Sequence, residues 1–76
     1  MGKMTQRDRI MRHLREVGGI TGAEAMKEYG IQHLASRISE MRQAGIPIKG
    51  EQETGKNRFG EPVYYVRYSL ENRQEA

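Results

Sequence analysis

The chain has 76 residues, which is enough for one small domain. It contains no cysteine, and this excludes disulfides, thiolate zinc sites and a thiol nucleophile. Thirteen Lys and Arg residues against ten Asp and Glu give a formal net charge of +3, and the excess lies in residues 1–45, which hold eight basic and five acidic side chains. This mildly basic balance permits a nucleic-acid partner without requiring one.

The first predicted helix begins at Thr5. Thr5 and Asp8 have the spacing of a capping box, in which each side chain accepts a hydrogen bond from the backbone N–H of the other residue. Three apolar residues then recur at helical spacing: Ile10, Leu14 and Val17. His13 lies beside this stripe, and we expect it to be partly buried. Gly18–Gly19 ends the helix, because glycine is common just beyond a helix C-terminus.

A second, short helix follows Ile20, which we expect to be buried within a very short strand. Thr21 and Glu24 form another capping box, and Gly30 ends the helix after about two turns. Its apolar side is formed by Ala25, Met26 and Tyr29. Because a helix of this length does not persist alone, tertiary packing must hold it.

The third predicted helix runs from about Gln32 to Ala44, and Gly45 ends it. Ile31 is expected to close the preceding turn onto the core. The residues that face the core are Leu34, Ile38 and Met41. A short helix, a glycine turn and a longer helix form the outline of a helix-turn-helix.

The hydrophobic period changes from 3.6 to 2 after Gly45. Residues 46–49 predict a strand, in which Pro47 favours an edge strand or the start of a strand. Pro62 to Leu70 predicts another strand, with one face formed by Tyr64, Val66, Tyr68 and Leu70. We expect Tyr64 and Tyr68 to lie in the core, although an aromatic sheet face can also stack single-stranded bases. Residues 53–61 contain two glycines and predict a loop longer than a tight hairpin needs.

The outward side of the third helix carries side chains suited to reading DNA. The early turns of a recognition helix reach base edges, where glutamine pairs with adenine, arginine with guanine, and serine with several bases. The candidate residues are Gln32, His33, Ser36 and Arg37. The alternative is that they form an ordinary solvated helix face.

The predicted hairpin tip carries a second set of candidates: Lys56, Asn57 and Arg58. Its cations would contact phosphates or enter the minor groove, or else serve only to keep the loop soluble. Phe59 is the one phenylalanine of the chain, and we expect it to fold back onto the hairpin rather than insert into a groove or partner. Further candidates for phosphate contact are Arg7, Arg12 and Arg42.

Motifs for catalysis are absent. The chain has no phosphate-binding glycine loop, dinucleotide fingerprint, nucleophile elbow or metalloprotease helix. His13 and His33 stand far apart, with no ligand-spaced acidic cluster around them. We therefore expect neither an enzyme nor a protein that holds a metal or a cofactor.

The stretch GGITGAEAMKEYGIQHLASRISEMRQAGIPI resembles a small winged helix-turn-helix family of phages, prophages and bacterial mobile elements. The matching positions are Gly18 or Gly19, Ile20, Thr21, Glu24, Ala25, Tyr29, Gly30, Ile31, Leu34, Ala35, Arg37, Ile38, Glu40, Arg42 and Gly45. Two positions depart from the family pattern: His33 stands where arginine is common, and Met41 stands where leucine is common. The resemblance covers about residues 5–70 and implies a DNA-binding regulatory role without specifying a target sequence.

Pattern and resemblance together predict an α+β fold. Residues 1–70 form a winged helix-turn-helix domain, a three-helix bundle with a C-terminal antiparallel β-hairpin, and residues 71–76 form a disordered polar tail. The expected function is sequence-specific binding of double-stranded DNA, in the regulation of transcription or of a mobile element. Two alternatives stay open. One is an architectural DNA-bending or excision factor that acts with a recombinase. The other is a winged-helix module for protein docking.

The size of the domain and its apolar runs indicate the expected partners and location. A homodimer is plausible because one small domain reads few base pairs. No run of about 18 apolar residues predicts a membrane span, and no apolar segment near the N-terminus predicts a secretory signal. We therefore expect no membrane partner and a cytoplasmic, nucleoid-associated protein.

Overall fold

The computed structural model of the protein describes residues 4–71. Its elements are α1 (Gln6–Glu16), β1 (Ile20–Thr21), α2 (Gly22–Tyr29), α3 (Leu34–Gln43), β2 (Ile48–Lys56) and β3 (Pro62–Leu70). The strands form one antiparallel sheet in the order β1-β3-β2, so β3 is central and β2 lies at an edge, as Pro47 suggested. The predicted α+β class is confirmed, and β1 adds a third strand to the hairpin. Of the predicted tail, all but Glu71 lies outside the described residues.

Both predicted capping boxes are present. Thr5 Oγ1 accepts from the Asp8 backbone N–H at 3.1 Å, and Asp8 Oδ2 accepts from the Thr5 N–H at 3.1 Å. Thr21 and Glu24 repeat this arrangement at the start of α2, also with two bonds of 3.1 Å. The hydrogen bonds from the backbone and side chain of Thr5 hold the pKa of the Asp8 carboxyl below its usual range. Local sequence thus determines where α1 and α2 begin.

The third helix begins two residues later than predicted, at Leu34 rather than Gln32. Gly30 ends α2 in the left-handed region, at φ 70°, and Ile31 turns into the core with 1% of its surface exposed. Gln32 and His33 then carry the chain from the buried Ile31 to the start of α3. They precede the helix instead of forming its first turn, and His33 takes the N-cap position.

One apolar cluster holds the helices and the base of the sheet together. Its buried members are Ile10, Leu14, Ile20, Ala25, Ile31, Leu34, Ile38, Met41 and Ile48. Two predicted apolar positions lie outside it. Val17 is 72% exposed because α1 ends at Glu16 and Val17 is its C-cap, and Met26 is 50% exposed. All other predicted helix-stripe residues contact the cluster.

His13 is buried, more fully than the partial burial that was predicted, and both of its ring nitrogens have partners. Nε2 donates to the carbonyl of Gly19 at 3.1 Å, and Nδ1 lies 2.8 Å from the Tyr29 hydroxyl. The two rings meet edge to face, with centroids 5.6 Å apart. His13 therefore joins α1 to α2 and to the loop before β1.

The β2–β3 hairpin is longer and its turn tighter than predicted. The strands pair from Ile48 with Leu70 to Lys56 with Pro62, so the prediction of a loop from residue 53 was wrong. Gly55 suggested a break in the strand, but a Cβ there would lie 3.2 Å from Tyr65 Cε2. Because Gly55 has no side chain, the Tyr65 ring can pack directly against the backbone of β2 at this position.

Only the base of the hairpin packs on the helices. Ile48 is buried and Tyr68 and Leu70 are partly buried, whereas Tyr64 is 66% exposed. The prediction that Tyr64 belongs to the core was therefore wrong. A strand of nine residues is about 30 Å long, whereas the 11-residue α1 spans only about 16 Å. The distal half of the hairpin thus extends beyond the helices as a wing.

Candidate nucleic-acid interface

The structure brings together the four candidate residues from the region of α3. A groove of about 410 Å³ lies between the start of α3 and the middle of β3, lined by Gln32, His33 and Ser36 and by Tyr65 and Val66. A second groove, of about 280 Å³, shares Gln32 and His33 with the first and is also lined by Arg37 and Gln6. Gln32, His33 and Ser36 are exposed, and Arg37 is half-exposed. The predicted residues thus form one accessible cluster beside the wing.

The start of α3 differs from the starts of the other two helices. His33 makes no side-chain hydrogen bond to the helix, whereas capping boxes occupy the starts of α1 and α2. Within residues 4–71, the backbone N–H groups of Leu34, Ala35 and Ser36 have no acceptor. Free N–H groups and the helix dipole make this end of α3 electropositive. An anion placed there would receive hydrogen bonds from the backbone.

Arg37 is already engaged in an ion pair. Its Nη2 donates to Glu40 Oε2 at 3.0 Å, one turn further along α3. Its Nε is shielded from solvent and has no hydrogen-bond partner among the described residues. A pair of this exposure contributes only about 0.3–0.5 kcal/mol, so a phosphate or base can displace Glu40 at little cost. The ion pair with Glu40 was not predicted from the sequence.

The hairpin tip has a defined geometry. Asn57 Oδ1 accepts from the backbone N–H groups of Phe59 at 2.9 Å and Glu61 at 3.0 Å, while Nδ2 donates to Glu61 Oε1 at 2.9 Å. Lys56 and Arg58 are exposed, and neither forms an ion pair within the described part of the chain. Asn57 therefore shapes the tip, and the two cations are available to a ligand.

Phe59 does not fold back onto the hairpin, so that prediction was wrong. Its side chain is 80% exposed. Phe59 is the middle residue of the three-residue loop 58–60, which the hydrogen bond from Asn57 N to the Glu61 carbonyl closes.

The further basic candidates have different surroundings. Arg12 pairs with Glu16 at 3.3 Å on exposed α1, and Arg7 is exposed. Arg42 donates Nε to the Ile48 carbonyl at 3.0 Å, and its guanidinium carbon lies 5.7 Å from the centroid of the Tyr68 ring. Arg42 thus ties the end of α3 to the base of the hairpin.

Arg67 of β3, which was not among the candidate residues, forms more side-chain hydrogen bonds than any other cation within residues 4–71. Its Nε donates to both carboxylate oxygens of Glu53 at 3.1 and 3.0 Å, and its Nη1 donates to both oxygens of Glu24 at 3.1 and 3.2 Å. The hydrogen bonds that Arg67 donates, first to Glu53 and then to Glu24, raise its pKa above its usual value. No sequence signal pointed to these contacts, because Glu53 lay in a predicted loop and Glu24 is 43 positions away in the chain.

A helix-turn-helix followed by a hairpin that projects beside its second helix defines a winged helix-turn-helix domain, a class that typically binds DNA without catalysis. A family model described as a winged helix-turn-helix domain matches residues 5–73, and the chain belongs to this family. The family predicted by resemblance is thereby confirmed, while its phage context stays a prediction. Neither the curated proteins nor the solved structures contain a match to the chain.

Two further observations concern the described residues. None of the helices within residues 4–71 has the length and apolar character needed to cross a membrane. The same residues contain no group of three or more His, Asp and Glu side chains placed to hold a metal ion.

Proposed function

We propose that the protein binds double-stranded DNA sequence-specifically and regulates transcription or a phage or other mobile-element function, within the cytoplasm at the nucleoid. In this proposal α3 enters the major groove, where Ser36 and Arg37 meet base edges. Gln32 and His33 flank them at the edge of the groove. The single observation that carries the proposal is the clustering of these four side chains around the uncapped start of α3.

Phosphate contacts orient the domain on the duplex. The free N–H groups at the start of α3 suit a phosphate oxygen, since they offer hydrogen bonds without an added side chain. Lys56 and Arg58 supply cations at the wing, where they are exposed and unpaired among residues 4–71. Because each neutralised phosphate releases counterions, we expect affinity to fall steeply as salt is raised.

The test begins with selection of bound duplexes from a random pool, followed by titration of the selected duplex and of mixed-sequence DNA. The wild-type chain should prefer the selected duplex. Arg37→Ala should weaken the free energy of binding to the selected duplex by about 1–3 kcal/mol. It should also reduce the preference for that duplex over mixed-sequence DNA. Lys56→Ala should weaken binding to both duplexes equally and reduce the salt slope by about one.

Arg15→Ala is the matched control, because it removes one exposed positive charge from the last turn of α1, outside the proposed interface. It should change neither preference nor affinity by more than a small factor. Absence of binding to any duplex at low salt would overturn the proposed function. If Arg37→Ala and Arg15→Ala reduce the affinity for DNA equally, α3 is not part of the interface.

A further inference from the structure

We propose that Phe59 is an apolar wedge, which the wing inserts between base pairs from the minor groove so that the bound duplex bends. This inference rests on the DNA binding proposed above and adds a site and a mechanical consequence to it. The partner is the stacked interior of a DNA duplex, and the site is the hairpin tip.

The exposure of Phe59 is the first observation. At 80%, it is the most exposed large hydrophobic side chain among residues 4–71. A side chain that folding leaves in water adds almost nothing to the free energy of unfolding, because hydrophobic stabilisation scales with the area buried. Fold stability therefore does not account for a phenylalanine at this position, and the ring is accessible to a binding partner.

The backbone under Phe59 is the second observation. Gly60 N donates to the Asn57 carbonyl at 3.0 Å, and Asn57 N donates to the Glu61 carbonyl at 3.0 Å. Gly60 adopts φ 80°, a left-handed conformation that glycine takes without strain. With the Asn57 side chain bound to Phe59 N, the loop is held before any partner arrives. Insertion of the ring then costs little ordering of the loop.

Charge identifies the partner. The cations Lys56 and Arg58 lie close to Phe59 along the chain, and the one acid of the turn, Glu61, already accepts a hydrogen bond from Asn57. A duplex offers both groups that this arrangement needs: phosphates for the cations and an apolar stacked interior for the ring. Apolar side chains inserted from the minor groove unstack a base step and kink the duplex.

The dimensions limit how much of the wing can enter the minor groove. Paired strands lie about 4.8 Å apart, and the minor groove of B-form DNA is about 6 Å wide. A two-stranded stem with its side chains cannot enter so narrow a groove, but a single ring projecting from a three-residue tip can. The wing would therefore stay on the phosphates while Phe59 alone reaches the bases.

The experiment uses the full chain and the selected duplex, labelled at its ends for energy transfer and carrying 2-aminopurine at successive steps under the wing. Wild type should raise the energy transfer, and it should brighten 2-aminopurine at one step. Phe59→Ala should abolish both signals and weaken binding on the order of tenfold. Phe59→Leu should retain much of both, because leucine also serves as a wedge.

Arg58→Ala is the control for loss of charge at the same tip. It should weaken binding and lower the salt slope while leaving the bend at saturation unchanged. If wild type binds the duplex but Phe59→Ala gives the same bend and the same 2-aminopurine signal, the wedge is overturned and the proposed function stands. If wild type binds no duplex, both fail together.

Discussion

Arg67 in the central strand holds Glu24 of α2 through two hydrogen bonds of 3.1 and 3.2 Å. The same guanidinium holds Glu53 on the neighbouring strand, and Glu24 is at the same time a partner in the capping box that begins α2. One cation therefore links the helix-turn-helix to the stem of the wing. The position of the wing beside α3 depends on these charge-assisted hydrogen bonds as well as on apolar packing.

Arg67→Ala should lower the free energy of unfolding by about 1–2 kcal/mol, because it leaves two carboxylates close together without their shared cation. The three side chains are 33–41% exposed, so solvent screening keeps the loss below that of a fully buried network. Urea denaturation measures it. Arg67→Lys should restore only part of the loss, since an ammonium cannot bind both carboxylates with the geometry of a guanidinium. If Arg67→Ala lowers the free energy of unfolding no more than the exposed Arg15→Ala does, the hydrogen bonds of Arg67 to Glu24 and Glu53 contribute nothing to stability.

The capping box of α1 should make stability depend on acid pH. Folding lowers the pKa of Asp8 below its ordinary value of 3.8, so the unfolded chain binds more protons there. The stabilisation is fully present above pH 3.8 and is lost as pH falls through the lower folded pKa. Asp8→Asn still accepts the Thr5 N–H but cannot titrate. Below about pH 4, the midpoint temperature of thermal unfolding should therefore fall more steeply with pH for wild type than for Asp8→Asn. Parallel curves of midpoint temperature against pH would contradict this.

Glu40→Gln should strengthen binding to DNA by about two- to fivefold. The change releases Arg37 from its ion pair and removes a negative charge from the face of α3 that would approach phosphates. Titration of the selected duplex at low and at moderate salt measures the effect, which should shrink as salt rises. Glu16→Gln, at the exposed ion pair with Arg12 on α1, is the matched control and should leave affinity unchanged. Equal gains from both would indicate a response to net charge alone.

Asn57→Ala should loosen the tip of the wing without affecting the core. It removes the acceptor for the Phe59 and Glu61 N–H groups, so these amides should exchange faster with solvent and show lower order parameters. Asn57→Asp retains the acceptor oxygens but replaces the amide donor to Glu61 by a second carboxylate, so it should restore only part of the order of the tip. Because no buried residue lies near the tip, the free energy of unfolding should fall by no more than about 1 kcal/mol. An unchanged order parameter at Phe59 would mean that Asn57 does not hold the loop.

The parts of this protein that could be predicted without coordinates depend on neighbours along the chain. Thr5 with Asp8, and Thr21 with Glu24, are capping contacts over three residues, and Gly30 and Gly45 end their helices in left-handed conformations at φ 70° and 95°. The apolar stripes of α1 and α3 and the bounds of β3 follow equally from local periodicity. In each case the physical cause, a hydrogen bond or a repeat of side-chain direction, lies within a few residues.

The remaining features arise where distant segments meet. Arg67 binds Glu24, which is 43 positions away in the chain, and the Tyr65 ring lies over Gly55 within a continuous strand. Phe59 is exposed at the tip of the hairpin. Likewise, His33 joins Ser36 in one groove only because α3 packs beside β3. Such contacts depend on how helices and sheet are placed against each other. Packing of the shared core sets that placement, and no local pattern encodes it.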